Sequence, residues 1–196
     1  STASRMRVEA VAALLFACSG GAAAQGATPP AMLLAQCAAC HGERGVSALA
    51  GTPSLAAQPK VFTETQLVLI REGLREVPVM KAVLAGMSDE TIGALAGWFA
   101  LQPAPPPAAP TQPDKAKAGA ALSQRMLCGT CHLAKYEGQQ QVPRLAGQRE
   151  DYLLAAMTQL RDNPGPGRDT IMAATLRGLS DADLGALAHH LATFKP

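Results

Sequence analysis

Two stretches of the chain carry the same alternation of apolar and polar positions. After Ser88-Asp89-Glu90, apolar side chains recur at Ile92, Leu95, Ala96 and Phe99. After Ser180-Asp181-Ala182-Asp183, they recur at Leu184, Leu187, Ala188 and Leu191. Spacing of three to four residues places each set on one face of a helix. A serine at the N-cap and acids in the first turn suit both starts. The same reading predicts helices from Thr65 to Leu74 and from Arg149 to Arg161. Two more, Ala31 to Ala39 and Lys115 to Leu127, lead into cysteine-bearing segments. No strand-like alternation of useful length is visible, and Asn163-Pro164-Gly165-Pro166-Gly167 is a loop. The predicted fold class is all-α.

The halves repeat each other. Cys37 and Cys128 are 91 residues apart, Pro53 and Pro143 are 90 apart, and both Met80–Met172 and Ser88–Ser180 are 92 apart. One offset recurring at four landmarks marks an internal duplication into two tandem domains. Between the copies lies Pro103 to Pro113, in which six of eleven residues are proline. Such a run disfavours helix and central strand and adopts extended polyproline II, a semi-rigid spacer. The predicted organisation is an export signal over 1–24, an N-terminal domain over 25–102, a linker over 103–113 and a C-terminal domain over 114–196.

The export signal rests on Arg5 and Arg7, then an apolar run from Val8 to Ala17 broken only by Glu9. Ala22-Ala23-Ala24 follows as a small-residue cleavage site. It is too short and too Gly/Ala-rich for a good membrane span, which needs about 20 apolar residues. This implies the periplasm, with peripheral membrane association compatible. Lipid attachment at Cys18, after Leu15-Phe16-Ala17, is the weaker alternative because Phe16 fits a lipobox poorly.

Composition adds one hint. Apolar residues reach 48% but aromatics only 4% of the 196 residues, so large core fillers are scarce and a cofactor is a candidate to occupy the interior. A net charge of +2 without a basic cluster argues against nucleic acid. By count, residues 25–102 hold five Lys/Arg against six Asp/Glu, and 114–196 hold ten against eight. The C-terminal half is therefore the expected docking face for acidic partners, with Lys135, Arg144 and Arg149 as candidates.

Cys37-Ala38-Ala39-Cys40-His41 and Cys128-Gly129-Thr130-Cys131-His132 are both C-x-x-C-H, the c-type haem attachment motif. Two thiols one helical turn apart can each bond a vinyl group on one porphyrin edge, and the following histidine supplies the proximal nitrogen to iron. A zinc site would have to draw its ligands from copies 91 residues apart. A thioredoxin-like pair lacks its βαβ context, and a disulfide across this spacing is strained. Two covalently bound haem c groups are the expected cofactors. For the sixth ligand, only Met80 and Met172 recur at matching positions with loop-like sequence before them. Met87 is matched by Leu179, Met157 lies in a helical apolar pattern, and Met32 and Met126 are too near the cysteines. His189 and His190 have no twins in the first half and read as surface or partly packed residues of the last helix. Pro53 and Pro143 follow the two motif histidines by 12 and 11 residues. A turn there can present a carbonyl to the histidine's second ring nitrogen.

These residues closely resemble the class I cytochromes c. The pattern is C-x-x-C-H, then Pro53-Ser54-Leu55-Ala56, Met80 and Met87-Ser88-Asp89. It recurs with Pro143-Arg144-Leu145-Ala146-Gly147-Gln148, Met172 and Leu179-Ser180-Asp181. The duplicated form resembles the dihaem cytochrome c4 family over nearly all of residues 31–194. The resemblance implies two all-α domains facing each other across a pseudo-twofold interface, each with one His/Met haem. It also implies electron transfer between periplasmic donors and terminal oxidases. The long linker departs from that family and puts tight haem–haem packing in doubt, and His190 stands where Trp98 is the first copy's late aromatic.

The leading expectation is a non-enzymatic electron shuttle between a dehydrogenase or respiratory complex and a terminal acceptor such as an oxidase. The alternative is the cytochrome subunit of a periplasmic dehydrogenase, as in flavocytochromes. A dihaem peroxidase or thiosulfate-oxidising enzyme would need an open or unusually ligated iron, which Met80 and Met172 argue against.

Overall fold

A computed structural model of the chain describes residues 28–108 and 112–195. The predicted export signal, Cys18 with it, and part of the linker lie outside the described residues. Among those described, the structure is helical: α1 (Ala31–His41), α2 (Lys60–Arg71), α3 (Pro78–Leu84), α4 (Asp89–Ala100), α5 (Pro113–Arg125), α6 (Cys128–His132), α7 (Glu150–Asp162), α8 (Thr170–Leu176) and α9 (Asp181–Thr193). The only sheet-like pairing there is an isolated bridge between Gln139 and Val142.

The strongest sequence signals become the best-formed helices. The Ser88 hydroxyl accepts the Thr91 N–H ahead of α4, and Ser180 and Asp183 form a reciprocal capping box ahead of α9. Each cap satisfies backbone donors that the first turn would leave unpaired. Helix α4 buries Ile92, Leu95, Ala96 and Phe99, and α9 buries Leu184, Leu187, Ala188 and Leu191. These faces form two separate cores. In one, Ile92 packs with Leu67, Ile70 and Leu84. In the other, the α9 face packs with Leu122, Tyr136, Leu153, Met157 and Leu176.

Boundaries differ from expectation where polar residues share a buried face. Helix α2 begins at Lys60, because Thr63 is buried together with Leu67 and Ile70 at the i, i+4, i+7 positions. Helix α1 continues through the cysteine motif to His41. Its counterpart is split: α5 stops at Arg125, Leu127 turns left-handed with φ 57°, and α6 restarts at Cys128. Helix α5 starts on Pro113, the last residue of the predicted linker, since proline needs no hydrogen bond at a first helical position.

The described part of the linker lies along the C-terminal domain instead of spanning free solvent. Pro105 is buried, and the Ala108 N–H donates to the Ala192 carbonyl at 2.8 Å. The two domains are also directly joined. The Gly51 N–H donates to the Asp151 carboxylate at 3.0 Å, and an Arg75 guanidinium nitrogen lies 3.2 Å from the Tyr152 hydroxyl.

Candidate functional site

Each cysteine pair sits on one helical turn, Cys37 and Cys40 on α1 and Cys128 and Cys131 on α6. All four thiols are free, so neither pair is closed into a disulfide. The first cysteine of each pair is half-buried and the second exposed. Burial pushes the Cys37 thiol above its ordinary range, against the lowering effect of a backbone hydrogen bond. The next side chain turns inward: His41 is 6% exposed and His132 3%.

Both histidines are held in the same way. Nδ1 of His41 lies 2.8 Å from the Pro53 carbonyl oxygen, and Nδ1 of His132 lies 2.8 Å from that of Pro143. A carbonyl can only accept, so Nδ1 carries the proton and Nε2 presents its lone pair. Burial lowers the pKa of both rings, outweighing the hydrogen bond that favours the charged form, which favours the neutral imidazole. Neutral imidazole is the form that binds metals.

The loops between histidine and proline are folded back by matching backbone bonds. Leu55 and Ala56 both donate to the Gly45 carbonyl, at 2.7 and 3.0 Å; Leu145 and Ala146 both donate to the Tyr136 carbonyl, at 2.8 and 3.2 Å. The next residues are tied to the final helices, Ala57 to the Phe99 carbonyl and Gly147 to that of Leu191. The residue after each histidine has positive φ, 80° at Gly42 and 66° at Leu133. Glycine accepts this freely; leucine in that region is strained.

Met80 and Met172 lie in the first turn of short helices, α3 and α8, each preceded by non-helical backbone. Pro78 starts the first of these helices, and the Asp169 carboxylate caps the second by accepting the Met172 N–H at 2.8 Å. Both methionines are half-buried, each against the core of its own domain. An arginine braces the segment that follows. Arg71 donates to the Met87 carbonyl at 2.7 Å and pairs with Asp89, while Arg161 donates to the Leu179 carbonyl at 2.9 Å and pairs with Asp181.

Several participants escape the sequence reading. Gln58 and Gln148 each reach across to the other domain: Gln58 bonds both backbone polar groups of Arg144, at 2.9 and 3.0 Å. Gln148 does the same at Ser54, with two contacts of 2.8 Å. Each glutamine stands five residues after Pro53 or Pro143, a repeat signal present in the sequence but without a chemical type to single it out. His189 is 2% exposed, a buried residue bonded at both ring nitrogens, which corrects the surface or partly packed role that the sequence suggests. His190 packs edge-on against Tyr136, whose hydroxyl lies 2.8 Å from that of Ser123.

Free thiols on one helical turn, followed by a buried neutral histidine with one nitrogen tied to backbone, fit covalent haem. The zinc alternative needs converging ligands, and among the described residues no group of three or more His, Cys, Asp or Glu side chains is gathered. Haem c supplies a one-electron Fe(III)/Fe(II) couple.

Two family profiles divide the chain, "Cytochrome c" over residues 116–195 and "Cytochrome C oxidase, cbb3-type, subunit III" over 24–99. The thiosulfate dehydrogenase electron acceptor of Stutzerimonas stutzeri is 33% identical over 199 residues, covering 93% of this chain and 91% of that protein. Cytochrome c4 of Azotobacter vinelandii is 28% identical and covers 92% of each. The crystal structure of reduced cytochrome c4 from Pseudomonas stutzeri superposes with a TM-score of 0.76 at 26% identity, covering 86% of this chain and all of that one. With its duplicated haem-attachment motif and two tandem helical domains, the chain belongs to the dihaem, cytochrome c4-like class I cytochromes c and carries covalently bound haem c.

Proposed function

We propose that the chain is a periplasmic one-electron carrier between a dehydrogenase or respiratory complex and a terminal acceptor such as an oxidase. Cys37, Cys40, Cys128 and Cys131 would form the thioether links to haem. His41 with Met80, and His132 with Met172, would bind the two irons. The Pro53 and Pro143 carbonyls orient the histidines. The domains run over 25–102 and 114–196, either side of the linker at 103–113. The observation that carries this reading is the same 2.8 Å histidine-to-proline bond in both domains. Bound haem c would supply a one-electron Fe(III)/Fe(II) couple, taking an electron from the donor and passing it to the acceptor. The thioethers of Met80 and Met172 would favour Fe(II) and raise the potential, and would deny peroxide and oxygen a place on the metal. The assignment is thus a carrier, not an enzyme. Anaerobic titration should take up two electrons per chain, with two covalent haems by pyridine haemochrome assay. Turnover of peroxide or thiosulfate by the isolated chain would overturn it.

The similarity to a thiosulfate dehydrogenase electron acceptor favours a periplasmic dehydrogenase as donor. In that case the chain acts as the electron-accepting partner of such an enzyme. Co-purification of a haem, flavin, molybdenum or quinoprotein dehydrogenase subunit from native membranes and periplasm separates this role from a free shuttle.

A further inference from the structure

The peptide unit that orients each histidine is also the peptide unit gripped by the other domain. The Pro53 carbonyl accepts from His41, and the N–H of the same peptide, on Ser54, donates to the Gln148 side-chain oxygen at 2.8 Å. The Gln148 amide nitrogen closes the clamp by donating to the Ser54 carbonyl at 2.8 Å. The mirror arrangement holds at the other haem site. The Pro143 carbonyl accepts from His132, and the Arg144 N–H donates to the Gln58 side-chain oxygen at 3.0 Å. The Gln58 amide nitrogen returns a bond to the Arg144 carbonyl at 2.9 Å. Gln148 and Ser54 are essentially buried, as is Gln58. Both glutamines are fully 86 or 94 residues from their partners.

A two-point amide clamp is a stringent geometric device, but its position gives it a second consequence. A peptide whose N–H is hydrogen-bonded becomes a better acceptor at its carbonyl, because hydrogen bonds in a chain polarise one another by roughly 10–30% each. A better acceptor on Nδ1–H raises the basicity of the histidine toward iron. Electron density pushed onto the iron favours Fe(III). Burial of the clamp removes the competing solvent that would otherwise bond the Ser54 and Arg144 N–H groups.

We infer that Gln58 and Gln148 are positioning residues that set the potential of the haem in the opposite domain, acting through the Pro143–Arg144 and Pro53–Ser54 peptides on the proximal histidines. Each iron thereby reports whether the partner domain is seated. Separation of the domains raises both potentials, and docking lowers them. The inference rests on the His41 and His132 ligation proposed above.

The test is spectroelectrochemical titration of the full-length holoprotein as wild type, Gln148→Met and Gln58→Met, with the two haems distinguished by their methyl resonances in NMR. Methionine matches the length of glutamine and carries neither amide group. In Gln148→Met the N-terminal haem should rise in potential while the C-terminal haem stays put; in Gln58→Met the pattern should reverse. The electron equilibrium between the haems should shift about threefold, in opposite directions in the two variants, which is about 30 mV at 59 mV per tenfold. The Nδ1–H resonance of the affected histidine in the ferrous protein should move upfield. Should either variant fail to mature, Gln→Asn at the same position, one methylene short of the clamp, is expected to shift the same haem in the same sense. Unmoved potentials, a shift in the mutated domain's own haem, or equal shifts in both haems would overturn the inference. The ring-proton resonances of His41 and His132 are recorded on the same ferrous wild-type sample: absence of the large upfield shift that a haem-bound imidazole shows defeats the ligation reading, and its presence with unmoved potentials defeats only the clamp.

Discussion

Nδ1 of His189 lies 2.7 Å from the Glu150 carboxylate, while its Nε2 accepts the backbone N–H of Gln112 at 2.9 Å. Since Nε2 accepts, the proton is on Nδ1 and the ring is a neutral bridge. It joins the start of α5 to α7 through α9, and Lys115 adds a second bond to Glu150 at 2.7 Å. Replacing His189 with leucine leaves a backbone donor and a carboxylate short of partners. The expected cost is about 1–3 kcal/mol, seen as a lower melting temperature of the holoprotein with its visible spectrum unchanged. Burial alone would raise the Glu150 pKa, but Lys115 and His189 hold it below the ordinary carboxylate value. That contribution is present above the unfolded pKa and fades as pH falls through the folded one. Glu150→Gln should therefore flatten part of the acid limb of the stability curve measured by denaturant titration at successive pH values.

Gly119 marks where α5 crosses α9. A Cβ there would meet the Ala186 carbonyl oxygen at 2.1 Å and the His190 Cβ at 2.6 Å, neither of which can swing away. Alanine raises helix propensity by roughly 1 kcal/mol over glycine. Forcing the helices apart costs about 1–3 kcal/mol or more, so the clash wins and Gly119→Ala should destabilise the C-terminal domain. Gly185 on α9 is the internal control. The nearest atom to a Cβ there is the flexible end of Lys115 at 3.8 Å, so Gly185→Ala should stabilise by a few tenths to about 1 kcal/mol. Thermal melts of the two variants that move in the same direction would refute this account of the crossing.

What the sequence makes legible follows from how local each feature is. The capped helices α4 and α9 announce themselves through Ser88, Ser180 and an apolar period, and C-x-x-C-H names its own cofactor chemistry. The Pro53 and Pro143 carbonyls are deducible because a histidine with one nitrogen committed needs an acceptor for the other. Gln58 and Gln148 are different: their partners are backbone groups of the opposite domain, and nothing near them in the chain encodes a contact spanning 86 or 94 residues. His189 is missed for a related reason. It has no twin in the first half, so the repeat that exposes Met80 and Met172 is silent about a bond between α9 and the foot of the linker. The linker itself reads as a spacer because proline composition reports stiffness and not where the segment lies.

Replacing Met80 or Met172 by histidine tests the sixth ligands directly. The ferric wild type should show the weak near-infrared sulfur-to-iron band, and each substitution should remove about half of it, as expected for two equivalent sites. The potential of the altered haem should fall, because imidazole is harder than a thioether and stabilises Fe(III). Met87→Leu and Met157→Leu should leave the band intact, since Met87 packs against the edge of its domain's core and Met157 lies within the other core.

The positive surplus of the C-terminal half is only partly available to a partner. Arg149 lies 2.8 Å from Asp151 in a salt bridge and reaches the Ser47 carbonyl of the other domain at 3.4 Å. Arg144 is half-buried, and its side chain donates to the Ala146 carbonyl at 3.1 Å. Lys135 alone of the three is exposed. Lys135→Gln should therefore slow electron uptake from an acidic donor and flatten the dependence on ionic strength, because exposed charges steer encounters that salt screens. Arg144→Gln and Arg149→Gln should leave the salt slope as it is, and Arg149→Gln, which removes the contact to Ser47, should act on domain seating. The Asp151 carboxyl makes the seating measurable by pH. The Arg149 guanidinium, together with the Gly51 and Tyr152 N–H groups, lowers its pKa to about 2, against the opposing effect of burial. An unperturbed aspartate titrates near ~3.9. The contact to Gly51 is then at full strength above about pH 4, and it weakens as pH falls toward 2. Because Asp151 is largely exposed, solvent and salt reduce its worth, and the change is a loosening of the domain contact, not global unfolding. Small-angle scattering of the holoprotein from pH 5 to pH 2.5 should show an increasing radius in wild type. The step should be smaller in Asp151→Asn, which has no carboxylate left to protonate. A step of equal size in both proteins would assign the acid response to another group.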